Sequence, residues 1–230
     1  MPDITLTSPD GEFTGYLAQP SRSPAPGILV IQEIFGVNQD MRAHCDQLAA
    51  DGYIALCPDL FWRQEPGIQL TDKTDAEWQR AFALYQGFDV DKGVADLKVA
   101  LAHLRAAEGC TGRVGSVGFC LGGLLAYLMA TRSDADCNVS YYGVGIDDKL
   151  DEASKISKPV LLHVAEEDEF VNKDAQAKIR AALADHTQVA VHVYPAVNHA
   201  FARNQGIHYD AQAASLANQR TADFFRSQLA

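Results

Sequence analysis

Val114-Gly115-Ser116-Val117-Gly118-Phe119-Cys120-Leu121-Gly122-Gly123-Leu124-Leu125 is the stretch on which the reading of this chain turns. It reads as a short buried strand, a turn with glycine on both sides of one reactive residue, and then an apolar helix. Gly118-Phe119-Cys120-Leu121-Gly122 has the form Gly-x-nucleophile-x-Gly, with cysteine as the nucleophile. So tight a turn excludes bulk beside the reactive residue, which suits glycine at 118 and 122. The helix that follows would aim free N–H groups at the thiol, favouring a thiolate and a developing oxyanion. Ser116 does not fit, because Val114 stands where glycine is required. A core cysteine in an ordinary strand-to-helix turn has the same pattern, so partners for the thiol must decide.

Working outward, hydrophobic patterning gives strands alternating with helices. Residues 3–18 alternate around Ser8-Pro9-Asp10-Gly11-Glu12 and predict a β-hairpin at a sheet edge. Buried strands are expected at 27–31, 53–57, 137–142 and 158–165, with a last strand at 189–194. Helices are expected from Asn38 to about Asp51, over 74–86, 89–108, 121–130 and 172–185, and over 209–228. Met41, Leu48 and Ala49 mark the inner side of the first helix. Trp78, Phe82 and Tyr85 form an aromatic stripe on the second, read from spacing alone as core. A long loop, 60–72, follows the strand at 53–57 and is a candidate pocket wall. The alternation implies an α/β fold with a mostly parallel, doubly covered sheet and one domain over 1–230.

Composition sets the outer limits. The 230 residues carry 19 Lys+Arg against 30 Asp+Glu, a formal net charge of −11, which argues against a nucleic-acid partner. No signal peptide or membrane-length apolar run is evident, and the five cysteines form no C-x-x-C pair. The expectation is a reduced, cytoplasmic protein without a membrane partner.

In such a sheet, reactive groups collect at the carboxyl ends of strands. Two later strands end in suitable residues. One is followed by Glu166-Glu167-Asp168-Glu169-Phe170-Val171, the other by Pro195-Ala196-Val197-Asn198-His199-Ala200-Phe201-Ala202-Arg203. His199 can take the thiol proton and return it to a leaving group, and a carboxylate can fix its tautomer. Four carboxylates compete for that role; Asp168 is favoured by its short side chain and by Phe170-Val171, which suggest a turn into the fold. The order nucleophile, acid, histidine is that of the α/β-hydrolases. The remaining histidines show no zinc-ligand spacing, so no metal is expected.

Taken together, Gln32-Glu33-Ile34-Phe35-Gly36, Gly118 to Gly123, Tyr141-Tyr142-Gly143-Val144-Gly145, Asp168 to Val171 and His199 to Arg203 resemble the dienelactone hydrolase (carboxymethylenebutenolidase) family. The resemblance covers nearly the whole chain. It implies cofactor-free hydrolysis of a small anionic lactone in chloroaromatic or related breakdown, by a Cys120–His199–Asp168 triad. It also implies an oxyanion hole from the N–H groups of Leu121 and Ile34, and a mobile Glu33 that disfavours the resting thiolate. Arg203 would hold the substrate carboxylate, and Phe35, Trp78, Phe82 and Tyr85 would line the substrate site. A second arginine is expected before Phe88-Asp89, but its position holds Trp78; Arg80, two residues on and rotated by about 200°, is the candidate to join Arg203 at the substrate carboxylate. Asn198 stands where the family often has glycine; asparagine tolerates a left-handed backbone, so the turn can survive there. The enzyme is expected to be a monomer. A general carboxylesterase or other lactonase on the same scaffold, and a non-catalytic lactone-binding protein, are the rival readings.

Overall fold

The computed structural model describes residues 3–230. The chain divides into two compact units, one ending at Ser116 and the other running from Val117 to Ala230.

In the first unit β1 (Asp3–Ser8) and β2 (Gly11–Ala18) form the expected antiparallel hairpin, with Ser8 opposite Gly11. β2 also pairs antiparallel with β4 (Ile54–Pro58), which lies parallel to β3 (Ala25–Ile31). Every residue of β4 and all but one of β3 are buried, so these strands have no polar face. α1 (Gln39–Ala50) starts where Asn38 Oδ1 accepts the Met41 N–H at 3.1 Å. Its buried residues are Met41, Cys45 and Ala49, spaced by four; Leu48 is only half-buried. α2 (Asp75–Gln86) and α3 (Val90–Ala106) are capped by Thr74 and Asp89.

The aromatic stripe on α2 is not core. Its buried residues are Ala81 and Leu84, while Phe82 is exposed and Trp78 and Tyr85 are half-buried. The long loop after β4 is tied down at several points. Asp59 accepts the N–H groups of Phe61 (3.0 Å) and Gly67 (2.7 Å). Trp62 Nε1 donates to the buried carboxylate of Asp96 at 2.9 Å, and Arg63 bridges Asp96 to Asp10.

The strands of the first unit lie in the order β1-β2-β4-β3-β5, where β5 (Cys110–Phe119) continues into the second unit. From there the order is β5-β6-β7-β8, making an eight-stranded sheet. β6 (Cys137–Tyr141), β7 (Val160–Ala165) and β8 (Val189–Tyr194) are parallel. α4 (Leu121–Arg132) follows β5, α5 (Lys173–Leu183) joins β7 to β8, and α6 (Ala211–Leu229) ends the chain. A 3₁₀ stretch, Ile146–Lys155, was not foreseen. It is anchored by Glu152, which pairs with Arg132 at 2.5 Å and accepts the Thr131 hydroxyl at 3.2 Å.

Beneath these strands lies a buried polar network. His163, in the middle of β7, bonds the Tyr194 hydroxyl through Nδ1 (2.8 Å) and Thr221 Oγ1 through Nε2 (3.0 Å). Thr221 also meets the Tyr141 hydroxyl at 2.7 Å, so α6 is stapled to three strands. Burial, helped by the charges of His192 and Arg220, drives the His163 pKa well below its ordinary value. The ring therefore stays neutral in the fold but takes up a proton in the unfolded chain. Its contribution to stability is complete above the unfolded pKa of about 6.5 and is lost as pH falls below it. In urea titrations between pH 7 and pH 5, His163→Gln should weaken the loss of stability on acidification, by up to about 1.4 kcal/mol per pH unit. Parallel slopes for the two proteins would show that His163 is not the group responsible.

Candidate active site

Cys120 closes β5 and caps α4 in a conformation rare for an L-residue, φ 56° and ψ −115°. Its N–H donates to Tyr141 O at 3.1 Å. Its carbonyl accepts from Gly123 (2.9 Å) and Leu124 (3.2 Å). The bend leaves no room for side chains around it. A methyl group on Gly118 would overlap the Gly122 carbonyl, and one on Gly123 would come within 2.6 Å of Tyr141 O. Gly118 was expected to matter; Gly123 could not be read from the turn pattern, because the strand that crowds it comes later in the chain. The Leu121 N–H is the first of α4 and, like every first-turn N–H, has no acceptor within its own helix.

The loops after β7 and β8 bring the other two candidates together. His199 Nδ1 lies 3.0 and 2.9 Å from the two oxygens of Asp168, and both residues are buried. Asp168 is held by its own loop, since Oδ1 also accepts the N–H groups of Phe170 (2.9 Å) and Val171 (3.0 Å). The imidazole ring has Tyr142 and Phe170 as edge-on neighbours, with centroids 5.0 and 4.9 Å away. These contacts fix the ring plane and leave the Nε2 edge for the thiol. Nε2 is buried and meets no partner in full hydrogen-bond geometry, yet the Cys120 thiol is near enough to act on the ring. Loose alignment of this kind is common before substrate binds.

The charge state of His199 is the net of opposing effects. Burial lowers its pKa, but the Cys120 charge, the Asp168 hydrogen bond, the Cys120 hydrogen bond and the Asp168 charge together raise it, to about 10. The pocket therefore favours imidazolium, with the sulfur and the carboxylate as its neighbours. Ala200, immediately after His199, has φ 61°, so the chain turns sharply at this point. Arg203 is buried just beyond, its N–H donating to Ala200 O at 3.0 Å. Asn198 does not use the left-handed conformation that asparagine tolerates; Ala196 and Ala200 hold it instead.

The remaining candidates lie in the first unit. Glu33 and Ile34, directly after β3, are buried, with Glu33 only 2% exposed. The motif they belong to is braced by the loop after β4. Gln32 Oε1 accepts the Leu60 N–H at 3.0 Å, and Leu70 N donates to Phe35 O at 2.9 Å. Phe35 meets Trp78 edge-on at 5.0 Å, and Trp78 stacks on Phe82 at 5.4 Å, so the aromatic residues form a continuous wall. Tyr85 is half-buried on the same helix. Arg80 is half-exposed and ion-paired with Glu65. Among the described residues no cluster of His, Cys, Asp and Glu is arranged to hold a metal ion, and no helix is long and apolar enough to cross a membrane. A groove of about 1010 Å³ along α5 and β8 is lined by Glu166 and Arg180 and by apolar residues such as Leu183, Val189 and Val193, and none of Cys120, Asp168 and His199 lines it.

A mostly parallel sheet, a sharp strand-to-helix turn carrying a nucleophilic side chain, and an acid and a histidine supplied in that order by later strand ends define an α/β-hydrolase. Residues 13–229 match the model of the dienelactone hydrolase family, and the chain belongs to that family of ester- and lactone-cleaving enzymes. A relative from Azospirillum brasilense, provisionally named a carboxymethylenebutenolidase, is 52% identical over the full length of both chains. The carboxymethylenebutenolidase of Pseudomonas putida is 40% identical, covering 96% of this chain and 94% of its own. A crystal structure from Klebsiella pneumoniae, provisionally described as a dienelactone hydrolase, superposes with a TM-score of 0.86 at 26% identity, covering 98% of this chain and 97% of its own.

The local electrostatics can be checked without substrate. Cys120→Ala removes two of the effects that raise the His199 pKa, and its imidazole NMR titration should shift to a lower midpoint than in the wild type. An unchanged midpoint would mean that the sulfur does not govern the imidazole.

Proposed function

We propose that this enzyme hydrolyses a dienelactone, 4-carboxymethylenebut-2-en-4-olide, to maleylacetate. It would act as a monomer in the cytoplasm, without a metal or organic cofactor. The observation that carries the reading is the buried His199, held by both Asp168 oxygens with its Nε2 edge left for Cys120. The names of the relatives point to the same substrate.

In this mechanism the Cys120 thiolate attacks the lactone carbonyl. The N–H groups of Leu121 and Ile34 receive the oxyanion; one such donor is typically worth about 2.7–4 kcal/mol. Collapse forms a thioester and breaks the ring C–O bond. The departing oxygen leaves as an enolate, takes a proton from the His199 imidazolium, and the enol tautomerises to the ketone. Water, deprotonated by His199, then cleaves the thioester. Lactone plus water gives the ring-opened keto-diacid, and the thiol is regenerated. Asp168 keeps the imidazole oriented throughout. Glu33 restrains the thiolate until substrate arrives, since a carboxylate near a thiol opposes its ionisation and so limits its oxidation. Arg203 holds the substrate carboxylate with its planar fork, and Phe35, Trp78, Phe82 and Tyr85 face the ring.

One observation favours a second reading. Arg80 is engaged by Glu65, which leaves Arg203 as the cation expected to select an anion. A general carboxylesterase or other lactonase, taking neutral esters, would need neither arginine. Steady-state hydrolysis of cis- and trans-dienelactone beside a neutral aryl acetate separates the two readings, and preference for the acetate would overturn the first.

Cys120→Ala should reduce turnover by about 10⁴-fold or more while leaving the thermal unfolding transition in place. A folded variant that retains activity would remove the sulfur from the mechanism. Arg203→Ala should raise KM for the anionic lactone about ten-fold or more, and for the neutral acetate far less. Equal effects on both substrates would refute its role in anion binding.

A further inference from the structure

The acid loop and the histidine loop run side by side and are zipped together rung by rung. Glu166 N donates to Tyr194 O at 2.9 Å, and Glu167 N donates to Val197 O at 2.9 Å. The next rung, nearest the Asp168–His199 pair, is a side chain. Asn198 Oδ1 accepts both the Glu169 N–H (3.1 Å) and the His199 N–H (2.6 Å). One amide oxygen therefore holds the peptide that follows Asp168 and the peptide that begins His199. The other end of the amide is used as well. Nδ2 donates to Glu169 Oε1 at 3.3 Å, and the same oxygen lies 3.7 Å from His208 Nδ1. The clasp thus reaches from the acid loop through the histidine loop to the segment before α6.

We propose that Asn198 is a positioning residue, which with Glu169 sets the spacing between Asp168 and His199 and so the direction in which the imidazole faces Cys120. The proposal rests on the catalytic reading of those three residues. Its logic is geometric. Asp168 is fixed by the Phe170 and Val171 amides of its own loop, and His199 by aromatic edges. Across the loops, Phe170 supplies only an apolar ring edge to His199, and the Ala196 N–H to Glu166 Oε2 bond (3.2 Å) lies farther from the pair; the Asn198 amide adds directional hydrogen bonds at this level, through an acceptor shared by both loops. A displacement of about 1 Å in such a pair can cost about 100-fold in rate. Only an amide supplies both halves of the clasp. Alanine or glycine supplies neither, and aspartate supplies the acceptor but faces the Glu169 carboxylate without a donor.

The test uses the full-length enzyme, with the aryl acetate and dienelactone as substrates and proton NMR of the Asp168–His199 hydrogen bond as a substrate-free signal. Asn198→Ala should lower kcat about ten-fold on both substrates with KM changed less than about two-fold. It should also shift or broaden the downfield Nδ1 proton resonance. Asn198→Asp should behave similarly. The double variant Asn198→Asp/Glu169→Gln reverses donor and acceptor across the clasp and should recover most of kcat and the wild-type resonance, which a loss of bulk packing would not do. Wild-type kcat and an unmoved resonance in folded Asn198→Ala would overturn the proposal, as would a double variant no better than Asn198→Asp. Should Asn198→Ala not fold, comparison of Asn198→Asp with the double variant decides. Failure of the catalytic reading looks different: activity would then survive Cys120→Ala, whatever happened at Asn198.

Discussion

Cys120 is held at φ 56°, ψ −115°, a conformation that costs an L-residue about 1–3 kcal/mol and persists only where its surroundings over-determine it. The surroundings here are specific. Gly118 has no side chain because the Gly122 carbonyl occupies that space, and Gly123 has none because Tyr141 O does. Tyr141 O also accepts the Cys120 N–H, so the strand that crowds the turn also holds it. Tyr141 is anchored in turn through its hydroxyl to Thr221 on α6, and Thr221 to His163 on β7. Strain at the sulfur is therefore sustained by a polar network that ends on the last helix. Burial of α4 on nearly all sides completes the support, since a helix with no polar face cannot pivot to relax the turn.

That dependence explains which parts of the molecule could be read from sequence. The strands and helices were legible because buried strands need unbroken apolar runs and helices need caps: Asn38, Thr74, Asp89 and Asn172 each accept an N–H from the first turn of the helix they precede. The meeting of Asp168 and His199 was legible because a parallel sheet gathers its strand ends on one edge. What escaped depends on contacts between segments far apart in sequence. The α2 aromatics have the spacing of a core stripe, but Trp78 and Phe82 stack on each other beside Phe35, and the helix buries its small face, Ala81 and Leu84. Asn198 looked like a residue chosen for its backbone. It is instead a residue whose side chain bonds a loop 29 positions earlier, and no local pattern encodes that partner. The 3₁₀ stretch at 146–155 buries only Ile146, Glu152 and Ala153, and Glu152 secures it to Arg132.

The second unit also holds two buried histidines whose chemistry diverges. His163 and His199 are 1% and 2% exposed, and desolvation pushes both toward the neutral ring. His163 has hydroxyl partners that serve either as donors or as acceptors, while the charged group beside it, Arg220, is cationic. Nothing there repays the cost of a buried charge, and the ring stays neutral and structural. His199 faces a carboxylate that accepts two backbone N–H bonds and a sulfur able to carry negative charge, and its pKa rises despite equal burial. Neighbour charge rather than depth decides which histidine can hold a proton for transfer. It follows that the acid loop does more than orient a ring. The Asp168 hydrogen bond and charge both raise the His199 pKa in a buried site, so the acid–histidine spacing bears on the charge of the ring as well as on the fold.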